Sequence, residues 1–206
     1  MAVPVLIIGQ SGSGKSRSLK NFKKGEVGVI KVIEKELPFR TDLSSITTRN
    51  YDEIKALLLK GKALSYFIDD AGYLLTTEFM EGRKTKGYEK FTDLAFNFYD
   101  LINFIQTALP REKIVYLVMH EDEDAMTGVV KPKTIGKLLD EKVCIEGLFT
   151  IVLRCVRENE NHVFYVNNNA IAKSPEEMFE GDTIENDLTI VDKAIRDYWN
   201  INKEEN

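Results

Sequence analysis

A glycine-rich segment near the beginning of the sequence limits the possible folds more than any other feature. It reads Gly9-Gln10-Ser11-Gly12-Ser13-Gly14-Lys15-Ser16 and matches the pattern G-x-x-x-x-G-K-[ST]. An apolar, strand-like segment (3–8) precedes it, and a helix-compatible segment (15–22) follows it. In this context the glycines let the backbone curl until successive N–H groups point into one concavity and bind phosphate oxygens. The sequence therefore predicts a phosphate-binding loop between a strand and a helix.

The same pattern assigns roles within the loop. Lys15 reaches the β- and γ-phosphates of a nucleoside triphosphate, and the Ser16 hydroxyl ligates Mg²⁺. The positive end of the following helix dipole adds to the attraction for phosphate. The alternative is a turn rich in glycine and serine with an incidental lysine, which the order of strand, loop and helix argues against. We expect ATP and Mg²⁺ as cofactors, with ATP or GTP preference left open, and the nucleotide bound by Gly9, Gln10, Ser11, Gly12, Ser13, Gly14, Lys15, Ser16 and Arg17.

Length and composition are those of an ordinary globular chain. The sequence has 206 residues and a formal net charge of -5, so we expect one domain over 1–206 with a flexible tail at 203–206. The negative charge disfavours a protein whose whole surface coats nucleic acid. Cys144 and Cys155 lack metal-ligand spacing, and no segment has the pattern of a signal peptide or a membrane span. We therefore expect reduced thiols and a cytoplasmic location.

Strand-like and helix-like segments alternate along the chain, which predicts an α/β fold whose mostly parallel sheet is covered on both faces. One helix carries an apolar face of seven residues between Phe91 and Ile105, a pattern more typical of core packing than of a ligand surface. A later hairpin joins two strands, and Asp187 is a suitable N-cap for the last helix. The expected strands are 27–33, 64–68, 113–119, 149–156 and 162–166, and the expected helices are 52–59, the one through 91–105, 134–142 and one from about 187.

Paired acids follow the third strand. Tyr66-Phe67-Ile68 leads directly into Asp69-Asp70. Mg²⁺ requires a carboxylate opposite the phosphate loop, and Asp69 is placed to supply it as a Walker B acid. Asp70 could then polarise the attacking water. The alternative is a surface turn, since many strands end in acids.

His120 ends the fourth strand, where a polar side chain could sense the γ-phosphate. The alternative is that His120 only ends a strand beside the acidic run Glu121-Asp122-Glu123-Asp124. We expect that run to form a solvated loop that repels nucleic acid.

Hydrolysis also benefits from a cation at the γ-phosphate, which a neighbouring subunit can supply. Arg154 lies within an apolar strand, so a buried or interfacial partner is plausible, although a surface role is the commoner outcome for any one cation. The basic segment 82–88 could contact a nucleic-acid backbone, or it could be a plain loop. The candidates for the trans cation are Lys133, Lys137 and Arg154, with Lys131 and Arg157 also considered.

The whole chain resembles a group of small bacteriophage-encoded ATPases of the AAA type with a RecA-like core. The resemblance rests on Gly9 to Ser16, on Ile68-Asp69-Asp70 followed by Tyr73, and on the segment 34–39. Further support comes from the segments 131–137, 139–142, 146–150 and 172–175, so the match covers most of the chain.

The resemblance implies a three-layer αβα P-loop NTPase with a RecA/AAA-like core, together with a C-terminal β-hairpin and helix. It also implies Mg²⁺-dependent ATP hydrolysis, assembly into a ring or filament, and a role in phage DNA replication and recombination with single-stranded DNA or its binding proteins, in the host cytoplasm. The residues that match the family's motifs are Gly9, Gly12, Gly14, Lys15, Ser16 and Asp69.

The identity of the catalytic acid stays open between two residues. RecA-like enzymes place a catalytic glutamate after an early strand, which is near Glu34. AAA-type enzymes place the acid beside the Mg²⁺ ligand, which favours Asp70, although a glutamate is more usual there. We prefer Asp70.

Two alternatives to an ATPase acting on DNA stay open as well. The first is an ATP-dependent helicase loader or another protein-remodelling switch. The second is a small-molecule kinase, which would carry an arginine-rich lid that the sequence does not show. The protein partner, the oligomer size and any stimulation by DNA are not predicted.

Overall fold

The computed structural model describes residues 1–82, 89–135, 139 and 143–201. Nine strands and four α-helices lie in this part of the chain, together with 3₁₀ helices over Ser16–Leu19 and Ile145–Leu148. The strands are β1 (Val3–Gly9), β2 (Val27–Lys31), β3 (Ser45–Thr47), β4 (Ser65–Asp69), β5 (Ile114–Glu123), β6 (Val130–Pro132), β7 (Ile151–Glu158), β8 (Asn161–Tyr165) and β9 (Thr183–Glu185). The helices are α1 (Tyr51–Lys60), α2 (Gly72–Glu81), α3 (Glu89–Ala108) and α4 (Leu188–Tyr198).

The strands form one mixed sheet that is mostly parallel. Its order is β3-β2-β4-β5-β1-β7-β8-β9, and β6 pairs with the end of β5 outside this path. The neighbouring strands β3, β2, β4, β5, β1 and β7 all run parallel to one another. β8 pairs antiparallel with β7, and β9 pairs antiparallel with β8. The predicted α/β class and the predicted hairpin of β7 and β8 are therefore confirmed. β5 lies between β1 and β4, so the segments that follow all three strands meet at one edge of the sheet.

The sheet separates two hydrophobic clusters. Side chains alternate across a strand, so Leu6 and Ile8 of β1 face one cluster while Val5 and Ile7 face the other. Helices α1, α2 and α3 contribute to the first cluster, and α4 contributes to the second. Six of the seven residues in the predicted apolar face of α3 are buried as expected, whereas Phe91 is exposed. Helices therefore cover both faces of the sheet, with α3 on one face and α4 on the other.

The helix expected over 15–22 is wrong in type and length. Only Ser16–Leu19 is helical there, and it is a 3₁₀ helix. The chain must travel from the end of β1 back to the start of β2 at Val27, and a 3₁₀ helix rises about 2.0 Å per residue against 1.5 Å for an α-helix. Gly25, with φ +91, then turns the chain into β2. The helix dipole expected behind the loop is therefore reduced to a single short turn.

The loop expected over the acidic run 121–124 is also wrong in its conformation, although Asp122, Glu123 and Asp124 are exposed as expected. β5 continues past His120 to Glu123, because β6 pairs with it antiparallel at Glu121, Asp122 and Glu123. Asp124 closes the connection by accepting hydrogen bonds from the backbone N–H groups of Met126 and Thr127. The result is a two-stranded arm, β5–β6, that extends from the sheet edge near the glycine-rich loop (9–16).

The ten-residue helix α2 was not expected as a separate helix. Other differences concern short or undescribed segments. The expected bounds of the remaining strands and of α1 agree with the structure to within a few residues. The three-residue strands β3, β6 and β9 were not expected, because such short segments carry little periodic signal. The expected helix 134–142 and the tail 203–206 lie largely or wholly outside the described residues, as does the basic segment after Gly82. None of the described helices combines the length and apolar composition that crossing a membrane requires.

The N-cap of α4 offers a test of the fold. Asp187 accepts hydrogen bonds from the backbone N–H and the hydroxyl of Thr189, at 2.9 and 2.8 Å. We expect Asp187→Ala to lower the free energy of unfolding by about 1 kcal/mol, measured by urea denaturation. Asp197→Ala, at the exposed opposite end of the same helix, should change it by less than about 0.5 kcal/mol. Equal losses in the two variants would contradict a capping role.

Candidate functional site

The glycine-rich loop lies at the carboxyl edge of the parallel strands. Gly12 (φ +79) and Gly14 (φ +105) adopt positive φ angles, which only glycine takes without strain. Gly9 is required for a different reason, since a Cβ there would lie 2.4 Å from the carbonyl oxygen of Cys155. The loop therefore has the curled backbone that the sequence pattern predicts, with glycines where strain or crowding demands them.

The curl leaves backbone donors unpaired. Within the described part of the chain, no hydrogen bond uses the backbone N–H of Gly12, Gly14 or Lys15. Backbone N–H groups are strong donors that require a partner. Several of them in one loop form a concavity suited to an anion. This observation fits the phosphate group of a nucleotide.

The Lys15 side chain is held inside the loop. Its Nζ donates hydrogen bonds to the carbonyl oxygens of Gly9 and Gln10, both at 2.7 Å. The residue is buried, and this burial lowers the pKa of Lys15, although the charges of Cys155, Asp70 and Asp69 oppose the shift. These two neutral carbonyl oxygens stabilise the Lys15 ammonium less than an anionic partner would. The Lys15 charge is thus positioned to receive a phosphate.

Ser16 and Asp69 meet across the site. The Ser16 hydroxyl donates to the Asp69 carboxylate, with oxygen–oxygen distances of 2.9 and 3.1 Å. Asp69 ends β4 and is 1% exposed. Burial is the main reason that the pKa of Asp69 is raised, followed by the charge of Asp70, while Lys35, Ser16 and Lys15 oppose the shift. A hydroxyl and a carboxylate in contact are the oxygen ligands that Mg²⁺ takes alongside phosphate oxygens.

Asp70 follows in an unusual conformation. Its φ is +58, a region that aspartate tolerates better than most residues. Its carboxylate forms an ion pair with Lys35 and lies 3.6 Å from His120 Nε2. Its side chain is 5% exposed. Asp70 is therefore a buried anion beside the loop, held by a lysine from another segment.

His120 lies between the loop and Asp70. His120 lies opposite Gly9 where β5 pairs with β1. Its ring packs edge to face against the Tyr73 ring, with 5.9 Å between the ring centroids. It does not end its strand, because β5 continues into the arm. Burial lowers the pKa of His120, and Lys15 acts in the same direction against the opposing charge of Asp70. This shift favours the neutral form of the imidazole.

Glu34 does not enter the site. Its carboxylate pairs with Lys31 at 3.3 Å, and its side chain is 72% exposed. The next residue, Lys35, reaches both acids, with 4.0 Å from Nζ to Asp69 in addition to the pair with Asp70. Sequence analysis missed Lys35, because a lysine in an irregular segment has no pattern that indicates where its side chain points.

The predicted trans cations have different surroundings. The three nitrogens of Arg154 bind within the chain: Nε and Nη2 contact Glu121 at 2.9 and 3.1 Å, and Nη1 contacts Asn169 at 2.8 Å. Lys133 is exposed beside His120, whose carbonyl accepts a hydrogen bond from its backbone N–H. Lys137 lies outside the described residues. Arg154 thus serves an ion pair of its own chain, and Lys133 is the described candidate with an exposed side chain.

The β7–β8 hairpin supports the loop from one side, which sequence analysis also missed. The Ser13 carbonyl is 2.6 Å from His162 Nδ1 and 3.1 Å from Cys155 Sγ. Because a carbonyl only accepts, Nδ1 carries the hydrogen of this contact. A Cβ on Gly14 would lie 2.6 Å from His162 Nδ1. The hairpin therefore holds the loop in place through contacts with the Ser13 carbonyl and with Gly14.

Two cavities open beside the loop. One of about 330 Å³ is lined by loop residues including Lys15, Ser16 and Arg17, and by Lys35, Asp70 and His162. The other, of about 740 Å³, is lined by Gln10, Ser11 and Lys133 and by residues of α2 and the β5–β6 arm. His120 lines both cavities. The smaller cavity is lined by Gly12, Gly14 and Lys15, whose backbone donors are unpaired, and by Ser16, whose hydroxyl contacts the buried Asp69. It is therefore the candidate site for phosphates.

The Arg154 ion pair yields a prediction. Arg154→Met leaves the Glu121 side chain, which is 3% exposed, without its cation. We expect the free energy of unfolding to fall by about 3 kcal/mol in urea denaturation. Arg157→Met, on the exposed part of the same strand, should change it by less than about 0.5 kcal/mol. If Arg154→Met instead keeps its stability and loses ATP hydrolysis only under conditions where subunits associate, Arg154 would act as the cation for a neighbouring subunit's γ-phosphate.

Neither a comparison with models of known protein families nor a search of curated protein sequences gave a match for this chain. We therefore infer its function from the geometry of the site and from the motif that predicted it.

Proposed function

We propose that this chain is a P-loop ATPase that binds ATP with Mg²⁺ in the smaller cavity and hydrolyses it. The observation that carries the proposal is the contact of Ser16 with Asp69 at 2.9 Å, beside Lys15 and the unpaired loop donors. These residues come from two segments far apart in the sequence. Their meeting supports a site for a metal-bound phosphate, since a Gly/Ser-rich turn would not require a buried acid opposite it.

The chain's own groups have separable roles in this proposal. The N–H groups of Gly12, Gly14 and Lys15 and the Lys15 ammonium bind phosphate oxygens. Ser16 and Asp69 hold Mg²⁺, which neutralises phosphate charge when bound. Asp70 orients the attacking water and accepts its proton, and the neutral His120 lies beside it as a donor or acceptor at the same end of the cavity.

The sheet topology supports a three-layer P-loop core of the RecA/AAA type. Because β5 separates β1 from β4, the ends of those two strands lie about 10 Å apart. That width lets the loop curl over the end of β5 while its Ser16 reaches Asp69. The helices on both faces of the sheet are compatible with the same arrangement.

The biological setting proposed here rests on the sequence resemblance. By that resemblance the ATPase serves phage DNA replication or recombination in the host cytoplasm, as a homo-oligomeric ring or filament, with single-stranded DNA or its binding protein. Stimulation of turnover by single-stranded DNA tests this setting. No stimulation, with a monomeric mass in the presence of a non-hydrolysable analogue, would contradict it.

One observation favours the alternative of a helicase loader or another protein-remodelling switch. The tip of the β5–β6 arm exposes Met126 (97%) and Val129 (57%), and its strand carries the acidic side chains Asp122 and Glu123. An apolar tip with acidic flanks suits a protein surface better than a phosphate backbone. Turnover stimulated by a protein and not by DNA would favour this second function.

Lys15 provides the test of the binding site. We expect Lys15→Ala to lower ATP affinity by at least about 100-fold, because the charge that meets the phosphates is lost. Isothermal titration calorimetry with Mg²⁺-ATP measures the affinity, and circular dichroism checks the fold. Lys20→Ala, an exposed lysine just after the 3₁₀ helix, serves as the control and should bind normally. Normal affinity in a folded Lys15→Ala protein would exclude the proposed site.

The catalytic acid has a separate test. Asp70→Asn should keep Mg²⁺-ATP bound but lower kcat by about 100-fold, since a base is removed and the metal ligand Asp69 is kept. Glu34→Gln should leave kcat unchanged, because Glu34 lies outside the cavity. If Glu34→Gln stops turnover and Asp70→Asn does not, the RecA-type assignment replaces ours.

A further inference from the structure

Lys35 occupies a position that the proposed ATPase must empty. Its Nζ pairs with Asp70 and lies 4.0 Å from Asp69, the residue that meets Ser16. An ammonium at that point neutralises the two acids when no metal is bound. A divalent cation held by Ser16 and Asp69 would repel it, because like charges only a few ångströms apart are unfavourable.

The anchoring of Lys35 allows its side chain to move while its backbone stays in place. The buried Lys31 donates from Nζ to the Lys35 carbonyl oxygen at 3.1 Å. The Lys35 side chain itself is 44% exposed and lines the cavity that Lys15 and Ser16 also line. Its flexible four-carbon stem lets the ammonium exchange partners without a shift of the main chain.

The charges around the cavity indicate where the ammonium goes. Asp69 and Asp70 are balanced by Lys15 and Lys35 in the structure. A nucleoside triphosphate with one Mg²⁺ brings net negative charge into this cavity, and its terminal phosphate provides a new anion for a displaced ammonium. The same displacement frees the Asp70 carboxylate, which cannot orient water while it is bound to a lysine.

We propose that Lys35 is a switching cation, which neutralises Asp70 and Asp69 in the nucleotide-free protein and transfers to the terminal phosphate when Mg²⁺-ATP binds. The transfer to the terminal phosphate rests on the proposed function, whereas the neutralisation of the two acids does not. It supplies from the same chain the second cation that sequence analysis sought in a neighbouring subunit. Lys35 is thus both a lock on the metal site and a stabiliser of charge during hydrolysis.

The first measurement needs no nucleotide. Titration of the nucleotide-free protein with Mn²⁺, followed by electron paramagnetic resonance, should show binding about tenfold tighter in Lys35→Met than in wild type, because the acids lose their neutralising charge. Lys24→Met, an exposed lysine with the same change of net charge, should bind like wild type. Equal Mn²⁺ affinity in Lys35→Met and wild type would overturn the proposal that Lys35 opposes metal binding at these acids.

The second measurement concerns the loaded site. Lys35→Met should keep Mg²⁺-ATP affinity within about tenfold of wild type and lose about 100-fold in kcat, and Lys35→Arg, which keeps the charge, should recover part of the rate. An unchanged kcat in Lys35→Met would overturn the transfer to phosphate. If wild type itself binds no nucleotide, the proposed function and the transfer fail together, while the Mn²⁺ result still decides the lock.

Mixing variants separates action within one chain from action between chains. Lys35→Met retains an intact loop, and Lys15→Ala retains Lys35. If Lys35 acts on its own subunit's nucleotide, the mixture has no more activity than the two proteins assayed separately. Recovered activity in the mixture would overturn the assignment to one chain.

Discussion

Two adjacent buried carboxylates at the end of β4 are the constraint on which the site depends. Asp69 and Asp70 are 1% and 4% exposed, and burying charge is costly unless it is paired and hydrogen-bonded. The compensation comes from two other segments, the glycine-rich loop through Lys15 and Ser16 and the segment after β2 through Lys35. The loop, β4 and the segment after β2 must therefore meet at one point. Any change to one of them alters the charge balance of the others.

The loop is stabilised by tertiary contacts more than by its own helix. The 3₁₀ helix Ser16–Leu19 supplies little dipole. Instead Cys155 and His162, from the C-terminal hairpin, contact the Ser13 carbonyl. The hairpin thereby links the last third of the chain to the first. In the proposed ATPase, contacts that the hairpin makes elsewhere would reach the phosphate site through this link.

Sequence patterns predicted the parts of the fold that have strong local signals. The alternation of apolar segments gave the α/β class, and Asp187 was correctly placed at the start of α4, because N-caps and periodicity are local properties. The helix expected after the glycine-rich loop and the loop conformation expected for the acidic run were wrong. Their conformations depend on distant requirements, namely the distance to β2 and the pairing of Glu121 to Glu123 with β6.

The sequence by itself determined the loop's glycines, Lys15 and Ser16, and the pairing of a strand with Asp69-Asp70, because spacing along one segment is enough to define them. Only the tertiary structure decided that Lys35 faces the acids while Glu34 faces Lys31 and solvent. It likewise decided that Arg154 binds Glu121 within its own chain. Lys35 lies in an irregular segment and Arg154 in a strand. In both places the direction of the long side chain depends on charges that folding brings close, and no local pattern encodes those neighbours.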